Sequence, residues 1–348
     1  MTGAPVPARR ISVTGRPARP RRAGLTAPPG NTAASPARPR RAGLTARLGN
    51  TAASAARPRR AGLVGLAAAG LLVAGCGTAS HPAARPQRTG PTRVVPQRIL
   101  RAPRSLLGLA GPQPDGTMWA LAGRLDTGLF RFGSSGKLAP GLPVSNTARS
   151  VAVSPAGVLA LAMATRHSGA LELLSGSTQK RLQTVALPAP ARQVATGPGS
   201  PAFFVLTAWS SSASVTIVGA TGVIRGTVPM PSDTVSVAPD PAQGSVYALE
   251  KTGLVDQIAI TSGRPTSRFR VGENGRAIAI SPAGGTLYVL KGTPQVSNIA
   301  VVDAATESVR RVLPAPRYCR GLLVSPSGDQ LYEVVGTSGY GNIQVFAL

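Results

Sequence analysis

A short apolar run returns six times along this chain, and its spacing limits the available folds more than any other feature. It reads Met118-Trp119-Ala120-Leu121, Val158-Leu159-Ala160-Leu161, Phe203-Phe204-Val205-Leu206, Val246-Tyr247-Ala248-Leu249, Leu287-Tyr288-Val289-Leu290 and Leu331-Tyr332-Glu333-Val334. The fourth positions stand 40, 45, 43, 41 and 44 residues apart. Each run has the length of a strand. Before most copies comes an alternating strand and then a turn, as in Val151-Ala152-Val153-Ser154-Pro155-Ala156-Gly157, Ile278 to Gly284 and Leu322 to Gly328. Pro and Gly close a tight hairpin at such a place. A third strand such as Ile299-Ala300-Val301-Val302 and a fourth such as Val309 to Leu313 follow. Four short strands recurring every 40 to 45 residues are the signature of propeller blades in an all-β fold.

The sixth copy ends at Leu348, directly after its third strand Asn342 to Phe346, and so lacks its outermost strand. A bare edge would expose a row of backbone donors and acceptors, and propellers avoid this by letting the other terminus complete the last blade. Arg98-Ile99-Leu100-Arg101-Ala102-Pro103-Arg104 aligns with the fourth strand Arg311-Val312-Leu313-Pro314-Ala315-Pro316-Arg317 and precedes its blade in the same way. The sequence therefore predicts a six-bladed β-propeller over residues 93–348, closed by residues 93 to 100. A seven-bladed ring is the alternative, and would need about 40 more residues unless one blade were degenerate.

Ile280-Ser281-Pro282-Ala283-Gly284-Gly285-Thr286-Leu287-Tyr288-Val289, followed by Ser297-Asn298-Ile299-Ala300-Val301-Val302-Asp303-Ala304-Ala305-Thr306, resembles the YVTN-type β-propeller repeat. The second and sixth copies carry the likeness less fully. Ala283 stands where that family usually has Asp. The resemblance implies a binding or scaffold propeller, and the related propellers include lactonase-like and isomerase-like enzymes.

The N-terminal part follows different rules. Pro17-Ala18-Arg19-Pro20-Arg21-Arg22-Ala23-Gly24-Leu25-Thr26 returns at Pro36 to Thr45 and again, shortened, at Ala56 to Leu63, a 19-residue period of Arg, Pro, Ala and Gly. Residues 1–56 have no apolar periodicity to bury, so they read as disordered if translated, or as lying upstream of the true start. Residues 57–75 read as a signal peptide: Arg57, Arg59 and Arg60 run into the uncharged stretch Ala61 to Gly75. As a helix that stretch rises only about 22 Å against a hydrocarbon core of roughly 30 Å, which disfavours a permanent span. It ends in Val73-Ala74-Gly75-Cys76, which resembles the lipobox of bacterial lipoprotein precursors. The resemblance makes Cys76 the acceptor of a lipid anchor such as diacylglycerol or palmitate, places the mature chain on the outer face of the cell membrane, and leaves residues 76–92 as a tether.

Charge then bears on partners. The chain has 38 Lys plus Arg against 12 Asp plus Glu, net +26. Residues 1 to 75 hold 13 Arg and no acid, while residues 105 to 348 hold 19 Lys plus Arg against 12 acids, only +7. Nucleic acid is therefore not the expected partner; a protein or an anionic envelope component is, and the propeller is expected to act as a monomer. Arg149, Arg192, Arg276 and Arg320 stand near the start of the first strand of four blades, with Arg104 near the corresponding place in a fifth. If they face the central channel they form a cationic ring suited to carboxylate or phosphate. Asp233 interrupts this ring in the fourth blade. The 12 acids are scattered and the two histidines, His81 and His167, fall in the tether and a loop, so no triad, metal site or cofactor is expected. The reading is a binding module with no chemistry of its own; a lactonase-like or isomerase-like enzyme acting on a small anion is the alternative.

Overall fold

Pro and Gly make the first local decision in each repeat. At Ser154-Pro155-Ala156-Gly157 the amide of Gly157 donates to the Ser154 carbonyl at 2.9 Å, and that of Ser154 donates to the Val158 carbonyl at 2.8 Å. Gly157 takes φ 75°, and Gly284 and Gly328 close the equivalent turns at 77° and 79°. A side chain there would strain the backbone, so these glycines fix where the first strand of the blade stops and the second begins.

The computed structural model describes residues 95–123, 127–337 and 339–348. The N-terminal repeat, the signal-peptide-like stretch, Cys76, the tether with His81, and residues 93 and 94 lie outside the described residues. Strand β1 (Arg98–Ala102) comes first. Blade one is β2 (Leu106–Ala110), β3 (Met118–Ala122), β4 (Gly128–Phe132) and the two-residue β5 (Leu142–Pro143). Blade two is β6 (Ala148–Val153), β7 (Val158–Ala164), β8 (Gly169–Ser175) and β9 (Arg181–Leu187). Blade three is β10 (Ala191–Thr196), β11 (Phe203–Ala208), β12 (Ala213–Val218) and β13 (Ile224–Met230). Blade four is β14 (Thr234–Asp240), β15 (Ser245–Glu250), β16 (Leu254–Ala259) and β17 (Pro265–Arg270). Blade five is β18 (Gly275–Ile280), β19 (Thr286–Gly292), β20 (Ser297–Asp303) and β21 (Ser308–Ala315). Blade six is β22 (Cys319–Val324), β23 (Gln330–Gly336) and β24 (Gly341–Ala347), with β1 hydrogen-bonded to β24 as its fourth strand. The molecule is an all-β, six-bladed propeller of antiparallel sheets, not a seven-bladed one.

The recurring apolar run is the second strand of every blade. Each such strand has sheet neighbours on both edges and neighbouring blades on both faces, which is why it is continuously apolar instead of alternating. The core is accordingly split into six clusters, one between each pair of successive blades. Phe204 and Leu206 of blade three meet Val237, Val246 and Ala248 of blade four in one of them. The cluster that closes the ring joins Leu100, Tyr332, Val334, Ile343 and Val345 to Leu106, Met118, Ala120 and Phe132 of blade one.

The closing strand pairs in the register that the sequence alignment gives. Leu100 stands opposite Ile343 and Arg101 opposite Asn342, as Leu313 stands opposite Ile299 and Pro314 opposite Asn298. Its limits differ from the expected 93 to 100: pairing runs over Arg98–Ala102, with the Gln97 amide also donating to Val345. Pro96 and Pro103 bracket it, and neither can donate to a ladder. Arg98 reaches past blade six to donate to the Ser134 carbonyl of blade one at 3.1 Å.

Neighbouring residues of β1 face opposite ways, which gives a clean test of closure. Leu100 is 5% exposed and Ile99 52%. Leu100→Ala should cost about 2–4 kcal/mol in urea unfolding, while Ile99→Ala should stay within about 1 kcal/mol. Equal losses would mean that β1 does not seal the sixth blade.

Candidate functional site

All six innermost strands share one irregularity. The ladder to the second strand skips the residue between Leu106 and Gly108, between Ala148 and Ser150, and between Ala191 and Gln193. It does the same between Thr234 and Ser236, between Gly275 and Ala277, and between Cys319 and Gly321. A bulge leaves its extra residue unpaired and re-aims that side chain. The skipped residues are Leu107, Arg149, Arg192, Val235, Arg276 and Arg320, and all six line the axial channel, whose free volume is about 520 Å³.

Blade order fixes their arrangement. In a ring of six, blades one and four lie opposite each other. Leu107 and Val235 therefore face across the mouth as an apolar pair, and they separate Arg149 and Arg192 on one side from Arg276 and Arg320 on the other. Residues after the bulge hold the walls together: Ser150 Oγ accepts from the Val194 amide at 3.2 Å, Gln193 Oε1 from the Val237 amide at 2.8 Å, and Ser236 Oγ from the Ile278 amide at 3.2 Å. Each such bond contributes about 1 kcal/mol and ties one inner strand to the next. At the far end the channel is rimmed by turn prolines, among them Pro112, Pro155, Pro198, Pro282 and Pro326.

The structure brings four of the five candidate arginines together and separates the fifth. Arg104 sits on the connection between β1 and β2, and Leu107 holds the ring place in blade one. Asp233 likewise precedes β14, so Val235 and not an acid stands in the ring of blade four. Both offsets have one cause: the ring place is the bulged second residue of the strand, and in these two blades it holds an apolar residue that no charge marks. Arg149 Nη1 donates to the carbonyls of Asn146 at 2.9 Å and Ala148 at 3.2 Å, which fixes the guanidinium and leaves its other donors free to face outward. Arg276 is half-buried, and its Nη1 is buried with no hydrogen-bond partner. Burial, and after it the nearby Arg320 charge, lower its pKa from the usual guanidinium value, with Cys319 acting the other way. An unpaired buried donor on a cation is costly and is satisfied by an incoming acceptor.

The acids lie elsewhere. Asp115 accepts from the Thr117 amide and hydroxyl, Asp303 from the amides of Ala305 and Thr306 and from Arg310, and Asp329 from Ser325 and Ser327. These bonds lower all three carboxyl pKa values. All three sit in turns at the proline end of the channel. Glu250 and Asp256 are buried and both held by Arg268. Among the described residues no three of His, Cys, Asp and Glu are placed to hold a metal ion. His167 is exposed in the loop after β7, and Trp119, Tyr247, Tyr288 and Tyr332 are core residues.

Two residues of blade six carry buried titratable groups. Cys319 is fully buried between blades five and six, and burial, reinforced by Glu333, pushes its thiol up to about 12. Glu333 is 2% exposed with Oε2 unpartnered, at a place that the other blades fill with Ala120, Ala160, Val205, Ala248 and Val289. Burial raises its carboxyl to about 8.

No family model matches this chain, and no curated protein matches it. Among solved structures the fold is similar to Kuenenia stuttgartiensis hydrazine synthase, with a TM-score of 0.56 and 13% identity, covering 70% of this chain and 83% of that one. It is also similar to a chain of a mitotic checkpoint complex, with a TM-score of 0.55 and 14% identity, covering 73% and 96%. Identity this low carries the fold alone.

Glu333 makes stability pH-dependent in a stated direction. Its carboxyl stays protonated in the folded state to about pH 8, but loses its proton near the ordinary glutamate value of 4.5 when unfolded. Between those values the folded state binds the extra proton, so this group's contribution falls as pH rises and levels off above 8. The lowered Asp115, Asp303 and Asp329 act only below the ordinary aspartate value of 3.8, outside this window. The thermal midpoint should drop between about pH 5 and pH 8, and Glu333→Gln and Glu333→Leu should both flatten that drop. A wild-type slope that persists in both variants would assign it to another group.

Proposed function

We propose that this chain is an exported, lipid-anchored propeller that binds a partner carrying carboxylate or phosphate groups at the arginine-rimmed mouth of its channel. The observation that carries the reading is the convergence of Arg149, Arg192, Arg276 and Arg320, from four blades, on one opening through the same backbone bulge. Converging like charges repel, and each guanidinium is a rigid fork of donors, so the arrangement is stabilised by a bound oxyanion. A mouth walled by protein strengthens every such contact relative to open water. Asp115, Asp303 and Asp329 are engaged in turns at the other end, and Glu250 is held by Arg268. A binding or scaffolding role is in keeping with this and with the YVTN-like repeat of residues 280–306. Anchoring rests on Val73-Ala74-Gly75-Cys76, and export places the mouth where anionic envelope components or envelope proteins are met.

Each half of this proposal has its own test. Cys76→Ser should move the protein from the membrane to the soluble fraction; unchanged partitioning would remove the anchor. For the mouth, the purified chain should melt at a higher temperature with a small dianion, because ligand at 100 times its dissociation constant adds about 2.7 kcal/mol. Arg276→Ala and Arg320→Ala should abolish the shift. A shift of unchanged size in both variants would place the anion elsewhere, and lactone turnover by the wild type would replace binding with catalysis.

A further inference from the structure

We infer that the cationic mouth extends outward over blades two and three into a groove that binds a carboxylated or phosphorylated sugar, with Arg166 and Trp209 as its determining side chains. The inference rests on the anion-binding reading of the mouth and gives it a ligand class. The groove has a free volume of about 540 Å³ and is lined by Arg149 and Arg192, which it shares with the channel, and by Arg166, Trp209, Ser210 and small residues such as Pro190.

Both outer residues sit on short turns that are held firmly. Around Arg166, the Thr165 amide donates to the Ser168 carbonyl at 2.9 Å, and Thr165 Oγ1 accepts from the amides of His167 and Ser168 at 3.3 and 3.0 Å. Around Trp209, its own amide donates to the Ser212 carbonyl at 2.9 Å, and the Ala208 amide ties the turn to Pro190 at 3.1 Å. Trp209 nevertheless leaves 39% of its surface exposed, while the chain's other tryptophan, Trp119, is 3% exposed. The side chains of Arg166 and Arg192 meet no hydrogen-bond or ion-pair partner among the described residues.

The chemistry of the lining selects the ligand. Guanidinium groups only donate, and among the lining side chains only the Ser210 hydroxyl can accept. A sugar carrying carboxylate or phosphate brings oxyanions for the arginines, while its apolar ring face lies against the indole. The volume suits one or two rings, with the chain continuing toward the channel mouth.

Trp209 is also the reporter. The full chain is titrated with an oligouronate and, separately, with a glycerol-phosphate oligomer, following tryptophan fluorescence and, independently, heat of binding. An acidic peptide, a short single-stranded oligonucleotide and a neutral oligosaccharide serve as comparisons. The expected result is a fluorescence change with at least one of the two polyanions, and a tenfold or greater loss of affinity in Arg166→Ala and in Trp209→Ala, both with unaltered melting. Which of the two binds separates carboxylate from phosphate recognition. Binding that weakens in Arg320→Ala but not in Arg166→Ala or Trp209→Ala would overturn the groove while leaving the mouth intact. Equal or tighter binding of the peptide or the oligonucleotide would overturn the sugar class. No binding of any anion would overturn both readings.

Discussion

Ring closure is the constraint on which everything else in this propeller depends. No blade has a core of its own: each apolar cluster belongs half to one blade and half to the next, so a gap anywhere would expose two faces. The gap is sealed at blade six by a strand drawn from the other end of the domain. Leu100 and Ala102 enter the same cluster as Leu106 and Met118 of blade one, so β1 completes a sheet and joins two blades at once. Blade one needs this support, because its own outer strand, Leu142–Pro143, is only two residues long. A strand so short cannot cover the face of its sheet, and Phe130 fills part of the space where a longer strand would lie, its ring close to both Gly128 and Gly141.

Closing six twisted sheets around an axis crowds their inner edges, and the bulge at the second residue of each inner strand answers that crowding. The first residue of each is buried, as Leu106, Ala148, Ala191, Thr234 and Cys319 are. The second then turns toward the axis without loss of the ladder on either side. A fold-level device thus creates six equivalent places around one opening, and side-chain choice alone sets its character. Four arginines with two apolar residues between the pairs make it cationic with an apolar slot, not a uniform ring.

This division explains what the sequence could and could not disclose. The blades were legible because the second strand is buried on both sides, which leaves an uninterrupted apolar run at each repeat, and because Ser-Pro-Ala-Gly and its relatives can form only a turn. The closing strand was legible because Leu100, Ala102 and Pro103 occupy the same structural places as Leu313, Ala315 and Pro316. The ring was legible in the four blades where an arginine marks it, but in the others the place is held by Leu107 and Val235, which look like any residue of an apolar strand, and the nearest charged residues, Arg104 and Asp233, stand two or three positions too early. The groove was not legible at all: Arg166 and Trp209 lie 43 residues apart in loops that only blade neighbourhood brings together. Glu333 was visible as an acid inside an apolar strand, but only its neighbours show how little compensates it.

Turn chemistry fixes where several of the acids and serines stand. Asp and Ser are selected where the first strand turns into the second or the third into the fourth, because their short side chains cap the exposed amides of the turn, as Asp115 and Asp303 do and as Ser325, itself bonded to Asp329, does for the Gln330 amide. Those turns all lie at one end of the channel, so these three acids are engaged there. The other end carries blade-to-blade connections and longer loops, where Asp233 and Glu273 stand on the connections into blades four and five and Glu250 is held by Arg268. At the mouth itself the four ring arginines converge, and the apolar slot between Leu107 and Val235 divides them into two pairs that address separate parts of one ligand.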